Sequence, residues 1–229
     1  MTLFTHDPDH PLPQAAPGGR TWVPIRSLGS RHRARVVRHL LALDTRSRYL
    51  RFGYAATDEQ IERYADAIDF DRDEVFGIFN RRLELIGLAH LAYRPAASFG
   101  TVGATVASPM AAEFGVSVLP QARRRGFGAR LFEHAVLHAR NRHVQTLFIH
   151  ALSENTAMLR IARNAGASVE RLGSEAEAWL TLPSDTLASH LDEALGDRAA
   201  ELDYRWKVKS HHATEHHLSE DSLTGEDCR

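Results

Sequence analysis

The sequence predicts an α/β domain of the α+β kind: a mixed, mostly antiparallel central sheet of six to seven strands flanked by helices. Three observations carry that expectation. Segments whose apolar residues recur every three to four positions interleave with segments of period two. Two period-two segments are separated only by the polar turn Asn80-Arg81-Arg82, which makes a hairpin and argues against an all-parallel sheet. The length, 229 residues, suits one compact domain with added segments.

Residues 1–20 are proline-rich, include Pro17-Gly18-Gly19 and show no periodicity, so a disordered lead-in is expected there. The domain itself is expected over 21–182, followed by a helical extension over 183–206 and a disordered tail over 207–229. Trp22, Val23 and Ile25 suggest the first strand. After Gly29, with Ser30 as a cap, Val36, Val37, Leu40, Leu41 and Leu43 mark an amphipathic helix. Thr57 and Gln60 have the spacing of a capping box, ahead of a helix that puts Ile61, Tyr64, Ala65 and Ile68 on one face. The hairpin strands follow over 75–79 and 83–93. Residues 94–111 read as a loop, 113–119 as a strand, 126–141 as a helix and 146–149 as a strand. Ser153, with Thr156 three residues on, opens a helix over 154–164 that Gly166 terminates in the left-handed conformation. Two further strands over 168–172 and 176–182 complete the sheet. Pro183 ends the last, and Leu187, Leu191, Leu195 and Leu202 mark a helix to about residue 203.

Composition narrows the functional classes. Against 29 acidic residues stand 28 basic ones, so no strong field favours a polyanion and no nucleic-acid partner is expected. Only Lys207 and Lys209 of the basic residues are lysines, an excess of arginine read mainly as genome composition. Arg31, Arg33, Arg35 and Arg38 read as the solvated side of the first helix. The single cysteine, Cys228, excludes an internal disulfide framework, and a frayed terminus gives it nothing that would lower its pKa. No apolar run approaches about 18 residues and no signal peptide is visible, so a cytoplasmic protein without a membrane partner is expected.

The histidines are weaker signals. His134 and His138 lie one helical turn apart, a spacing that can chelate a metal, but no carboxylate partner is evident and no metal site is expected. His211-His212 and His216-His217 read as a solvated tail. His150, at a strand end, is a candidate second base.

Chemistry concentrates in the stretch from Glu113 to Phe132. Arg123, Gly126 and Gly128 fall where the chain turns from strand to helix and presents unpaired N–H groups in one direction. Such groups, with the positive end of the helix dipole, bind phosphate oxygens, and glycine removes side chains that would keep an anion away. Alone, the motif also fits a plain tight turn.

Arg123-Arg-Arg-Gly126-Phe-Gly128 matches the acetyl-CoA loop pattern Arg/Gln-x-x-Gly-x-Gly/Ala, and the sequence here resembles the GNAT acyl-CoA N-acyltransferases. The run from Ser153 through Asn155, Met158 and Ile161 to Gly166 is similar to the family's later helix, which flanks the pantetheine arm. The resemblance spans about 21–182, and the order of elements matches as well. Ser47-Arg-Tyr-Leu-Arg-Phe52 and Ala112-Glu113-Phe114 more closely resemble the GNAT domain of bacterial protein-lysine acetyltransferases.

The resemblance implies acetyl-CoA as co-substrate, a primary amine as acceptor (protein lysine or small amine) and Glu113 as general base. It also implies that backbone groups of Val116, Ser117 and Val118 position the thioester, with the Val116 N–H stabilising the oxyanion. Arg123, Arg124, Arg125, Gly126, Phe127, Gly128 and Ala129 would hold the pyrophosphate, with Asn155 beside the arm. Ala162 stands where many members place the tyrosine that protonates the leaving thiolate, so that role has no candidate. A homodimer through the C-terminal helix is a further expectation. The alternative is a non-catalytic acyl-CoA-binding regulator.

Overall fold

The computed structural model describes residues 22–95 and 110–223. Seven strands form one sheet: β1 (Arg26–Leu28), β2 (Glu74–Phe79), β3 (Leu85–Pro95), β4 (Met110–Val118), β5 (Thr146–Leu152), β6 (Ser168–Leu172) and β7 (Glu175–Thr181). Their order is β1-β2-β3-β4-β5-β7-β6. Every neighbouring pair is antiparallel except β4 and β5. A parallel pair needs a long crossover, supplied here by α4 (Phe127–Asn141).

Two helical layers cover the sheet. On one face lie α1 (Arg33–Leu41), α2 (Thr45–Phe52) and α3 (Asp58–Asp66), and on the other α4, α5 (Thr156–Asn164) and α6 (Leu187–Leu223). Alternation along β4 sets the sidedness. The Phe114 ring meets Phe132 of α4 at 5.0 Å, while Ser117 hydrogen-bonds His39 of α1. Phe76, Leu91, Leu131, Phe132, Leu147 and Ile149 are all but fully buried between the layers. Each such side chain contributes roughly 1.5–3 kcal/mol by leaving water.

Several expectations meet the structure directly. Thr57 caps α3, its Oγ1 accepting from the Gln60 N–H while Gln60 Oε1 accepts from the Thr57 N–H. The hairpin turns at Asn80, whose Oδ1 accepts from the N–H groups of Arg82 and Glu84. Gly166 follows α5 at φ +86°.

Others need correction. The first strand begins at Arg26, not Trp22, because only Arg26–Leu28 finds partners on β2. The helix α2 had not been expected, since its arginine-rich sequence buries only Ser47. Asp44 starts it by accepting from the Ser47 N–H at 2.7 Å, and Gly53 at φ +82° ends it. The cap of α5 is Asn155; Ser153 instead donates to the Gly173 and Glu175 carbonyls. The arginine face of α1 is only partly solvated. Arg33 donates to the carbonyls of Ala65, Asp66 and Ile68 at the end of α3, and Arg35 to Tyr204 Oη.

The last helix, expected to stop near residue 203, continues to Leu223. Pairs four residues apart, Glu201 with Arg205 and Asp203 with Lys207, support it where composition alone suggested a disordered tail from 207. The expected lead-in over 1–20, most of the loop over 94–111 and the last six residues lie outside the described residues. Among the described residues no helix is long and apolar enough to cross a membrane.

Candidate active site

The site originates in a fork between the two parallel strands. Pairing of β4 with β5 covers only Ala111 with Thr146, Ala112 with Leu147 and Glu113 with Phe148. On its other side β4 stays paired with β3 from Met110 to Val118. Past Glu113 the strands diverge, and the β5-side edge of β4 carries backbone groups without a sheet partner. A cavity of about 650 Å³ occupies the gap.

The cavity runs from the fork to the start of α4. After β4, the turn Pro120–Ala122 leads through Arg124, at φ +62°, to Gly126, at φ +77°. The positive φ at Gly126 is the one backbone position here that calls for glycine, and it turns the chain into α4. The first intrahelical bond runs from the Arg130 N–H to the Gly126 carbonyl at 3.0 Å. The amides of Phe127, Gly128 and Ala129 therefore have no carbonyl of their own helix to reach. A Cβ on Gly128 would touch Ile161 Cδ1 at 3.4 Å, so glycine keeps that wall thin.

Most of the residues singled out in the sequence line this cavity. Val116, Ser117 and Val118 form its strand wall, Arg123, Arg124, Gly126, Phe127, Gly128 and Ala129 its far end, and Asn155 faces them. Arg125 points elsewhere, stacking over Phe127 with its guanidinium 6.0 Å from the ring centroid. Glu113 lies outside the lining, at the vertex of the fork, and is half-buried.

Two polar side chains are already engaged. Asn155 Oδ1 accepts from the Met158 N–H at 3.2 Å, and its Nδ2 donates to the Leu50 carbonyl at 3.3 Å. Arg123 donates to Ser47 Oγ and to the Val118 carbonyl and lies 3.7 Å from Asp44. Met158 and Ile161 both face the cavity, while Ala162 is fully buried. His150 sits in the wall, its Nδ1 3.5 Å from Glu177.

The structure adds groups that the sequence did not reveal. The Arg51 guanidinium lies against Gly115, where a Cβ would come within 2.4 Å of Nη2. From Arg51 a donor chain crosses the α1–α3 side of the sheet. Arg51 donates to Tyr64 Oη at 2.6 Å, Tyr64 to His90 Nδ1 at 2.8 Å and His90 Nε2 to Asp73 at 3.2 Å. Burial pushes the Asp73 carboxyl up, but the bonds from His90 and Arg72 prevail and hold it well below the usual carboxylate range. By strand alternation Gly115 and Glu113 share this side of the sheet. The signals were too dispersed to be read in advance, since Arg51, Tyr64, Asp73 and His90 come from four separate segments.

His39 supports the strand wall from behind. It donates from Nδ1 to the Leu85 carbonyl at 2.7 Å and accepts at Nε2 from Ser117 Oγ at 2.9 Å. Burial pulls its pKa down to about 4, with Arg51 acting in the same direction. The unfolded chain therefore takes up a proton as pH falls below 6.5 while the folded chain does not, and this contribution to stability is lost between 6.5 and about 4. Denaturant unfolding of wild type at near-neutral pH and at about pH 4.5 should differ by about 2–3 kcal/mol more than the same pair of measurements on His39→Gln. Equal differences would show that His39 is not held neutral.

Comparison with known proteins follows the geometry. The sequence profile described as the Acetyltransferase (GNAT) family matches residues 37–167, more than half of the chain. Curated proteins yield no match. Among solved structures, the GNAT domain of S. lividans PAT superposes with a TM-score of 0.56 at 22% identity, covering 69% of this chain and 89% of that one. Arabidopsis thaliana NAA60 in complex with acetyl-CoA gives 0.53 at 12% identity, covering 70% and 98%. The structure of yncA from Salmonella typhimurium with its cofactor acetyl-CoA gives 0.52 at 16% identity, covering 72% and 97%. At such identities the superpositions speak for the fold alone, but the profile match is to this sequence itself: with its forked β4–β5 pair and glycine-opened crossover helix, the chain belongs to the GNAT acetyltransferase family.

Proposed function

We propose that this chain transfers an acetyl group from acetyl-CoA to a primary amine, a protein lysine or a small amine, by direct attack of nitrogen on the thioester. The observation that carries the reading is the cavity in the fork, continuous from the unpaired edge of β4 to the free amides at the start of α4. Those amides and the helix dipole suit a pyrophosphate, with Arg124 exposed beside them. The β4 edge at Val116 to Val118 offers hydrogen bonds to an extended amide-containing arm, in the manner of an added strand. The thioester supplies the activated acyl carbon. The Val116 N–H meets the negative charge that develops on its oxygen.

The acceptor side needs a base. An alkyl ammonium of pKa about 10.4 is neutral only about once in a few thousand molecules near neutral pH. Glu113, at the vertex of the fork, takes the proton directly or through water as the C–N bond forms and the C–S bond breaks. With Ala162 in the core, solvent protonates the departing thiolate.

Incubating the protein with acetyl-CoA and a panel of lysine peptides and polyamines should release free thiol well above the hydrolytic background for at least one amine. Binding of acetyl-CoA without any thiol release would favour the non-catalytic regulator. A homodimer remains part of this reading, supported by Leu187, Leu191, Leu195, Leu202 and Trp206, which α6 exposes at spacings of mostly four residues.

A further inference from the structure

Between α4 and α6, beside Phe76 of the sheet, three polar atoms converge with nothing to bond. His134 Nε2, His138 Nε2 and Asp197 Oδ1 are each buried and lack a hydrogen-bond partner. One ligating atom from each of the three residues lies within 4.8 Å of the other two. His138 is 2% exposed. Leaving three such groups unsatisfied would cost about 1–3 kcal/mol each, so the arrangement asks for an occupant. The two histidines come from successive turns of α4; the carboxylate missing from the sequence argument is delivered by α6.

The surroundings select a cation. His138 Nδ1 donates to Glu74 Oε1 at 3.1 Å and lies 3.3 Å from Glu193 Oε1. That bond fixes the proton on Nδ1 and leaves the Nε2 lone pair facing His134 and Asp197. A carboxylate behind a ligating imidazole is the usual outer arrangement of a metal site. Glu74 is itself fixed by Tyr93 Oη and by Arg142 at 2.6 Å. Around the three atoms stand the carboxylates of Glu74, Glu193 and Asp197, with the guanidinium of Arg142 on Glu74, a balance that suits a dication. The Phe76 ring packs on both imidazoles, 4.7 Å from each, and closes the inner side.

We propose that His134, His138 and Asp197 bind a divalent transition-metal ion of the zinc type, pinning α6 onto α4. Two imidazole nitrogens and a carboxylate oxygen are ligands zinc accepts, with a fourth tetrahedral position left for water. Bond lengths of about 2.0–2.2 Å place ligand atoms roughly 3.4 Å apart, so spacings of up to 4.8 Å must close by as much as about 1.4 Å. His138 Nε2 and Asp197 Oδ1, now 4.0 Å apart, need about 0.6 Å of movement.

The test uses the full chain, stripped with a chelator and titrated with Co²⁺ and then Zn²⁺. One Co²⁺ per chain should bind with the intense ligand-field absorption of a four-coordinate ion, and Zn²⁺ should displace it and raise the midpoint of thermal unfolding. Asp197→Asn, nearly isosteric, should abolish the absorption with the circular dichroism unchanged. Glu74→Gln should weaken binding by about 10–100-fold. A chain with His211, His212, His216 and His217 all changed to Gln should bind as wild type does. Retention in Asp197→Asn together with loss in the tail variant would assign the metal to the tail and overturn the site. Absence of any absorption in wild type would do the same, leaving a buried water as the occupant. Zinc found in the chain as purified, and lost in His138→Gln, supports the site even if the stripped protein refolds poorly.

Discussion

Glu113→Gln should bind acetyl-CoA as tightly as wild type and turn over amines at least about 100-fold more slowly, the usual worth of a positioned general base. The separation of the two effects follows from where Glu113 sits. It closes the fork at the last β4–β5 pair, outside the cavity lining that would hold the cofactor. Glutamine keeps the length and the strand geometry but cannot take a proton. In the variant the remaining rate should rise with the free-amine fraction alone. Calorimetry with acetyl-CoA and steady-state rates across pH are the measurements. Undiminished turnover would remove Glu113 from the mechanism and turn attention to His150 in the cavity wall.

Gly126→Val should cut acetyl-CoA affinity by tenfold or more, about 1.4 kcal/mol, while the fold persists. Two effects combine. At φ +77° a β-branched residue is strained by roughly 1–2 kcal/mol and pulls the turn out of shape. Its methyl groups also project where the amides of α4 must face an anion. Open space surrounds the position, with nothing within 4 Å of a built Cβ, so the substitution does not clash with the protein itself. Gly173, at φ +64° in the turn between β6 and β7 and equally uncrowded, is the control. Gly173→Val should lose comparable stability without losing cofactor. If both variants bind acetyl-CoA like wild type, the α4 terminus is not the phosphate cradle.

The glycine turn, the crossover helix and the hairpin were readable because each is a local event: a period change, a cap, a turn residue. The capping box at Thr57 and the left-handed Gly166 appear where their residue types demand. Elements held by partners distant in sequence were not readable. Residues of α2 are mostly polar or exposed, so no periodicity announces that helix; it exists because Asp44 caps it, because its Arg46 pairs with Glu154 and because its Leu50 carbonyl accepts from Asn155 across the cavity. The reach of α6 was misjudged because a charge-rich helix and a charge-rich tail share a composition. Within the site, Gly126 and Gly128 were visible as a motif, whereas Arg51 against Gly115 and the Tyr64–His90–Asp73 chain appear only once four segments are brought together. Asp197 is the sharpest case, since its meeting with His138 depends on how α6 crosses α4.

The fork has one more consequence. Its two banks come from different stretches of polypeptide: residues 33–90 build the bank holding Arg51, Tyr64 and His90, and residues 110–166 build the one with the glycine turn and α5. They meet along the β3–β4 ladder, where His90 stands opposite Gly115, and through polar ties such as Arg46 with Glu154. Side chains of the first bank that stand away from that ladder can therefore be exchanged while the glycine turn keeps its shape.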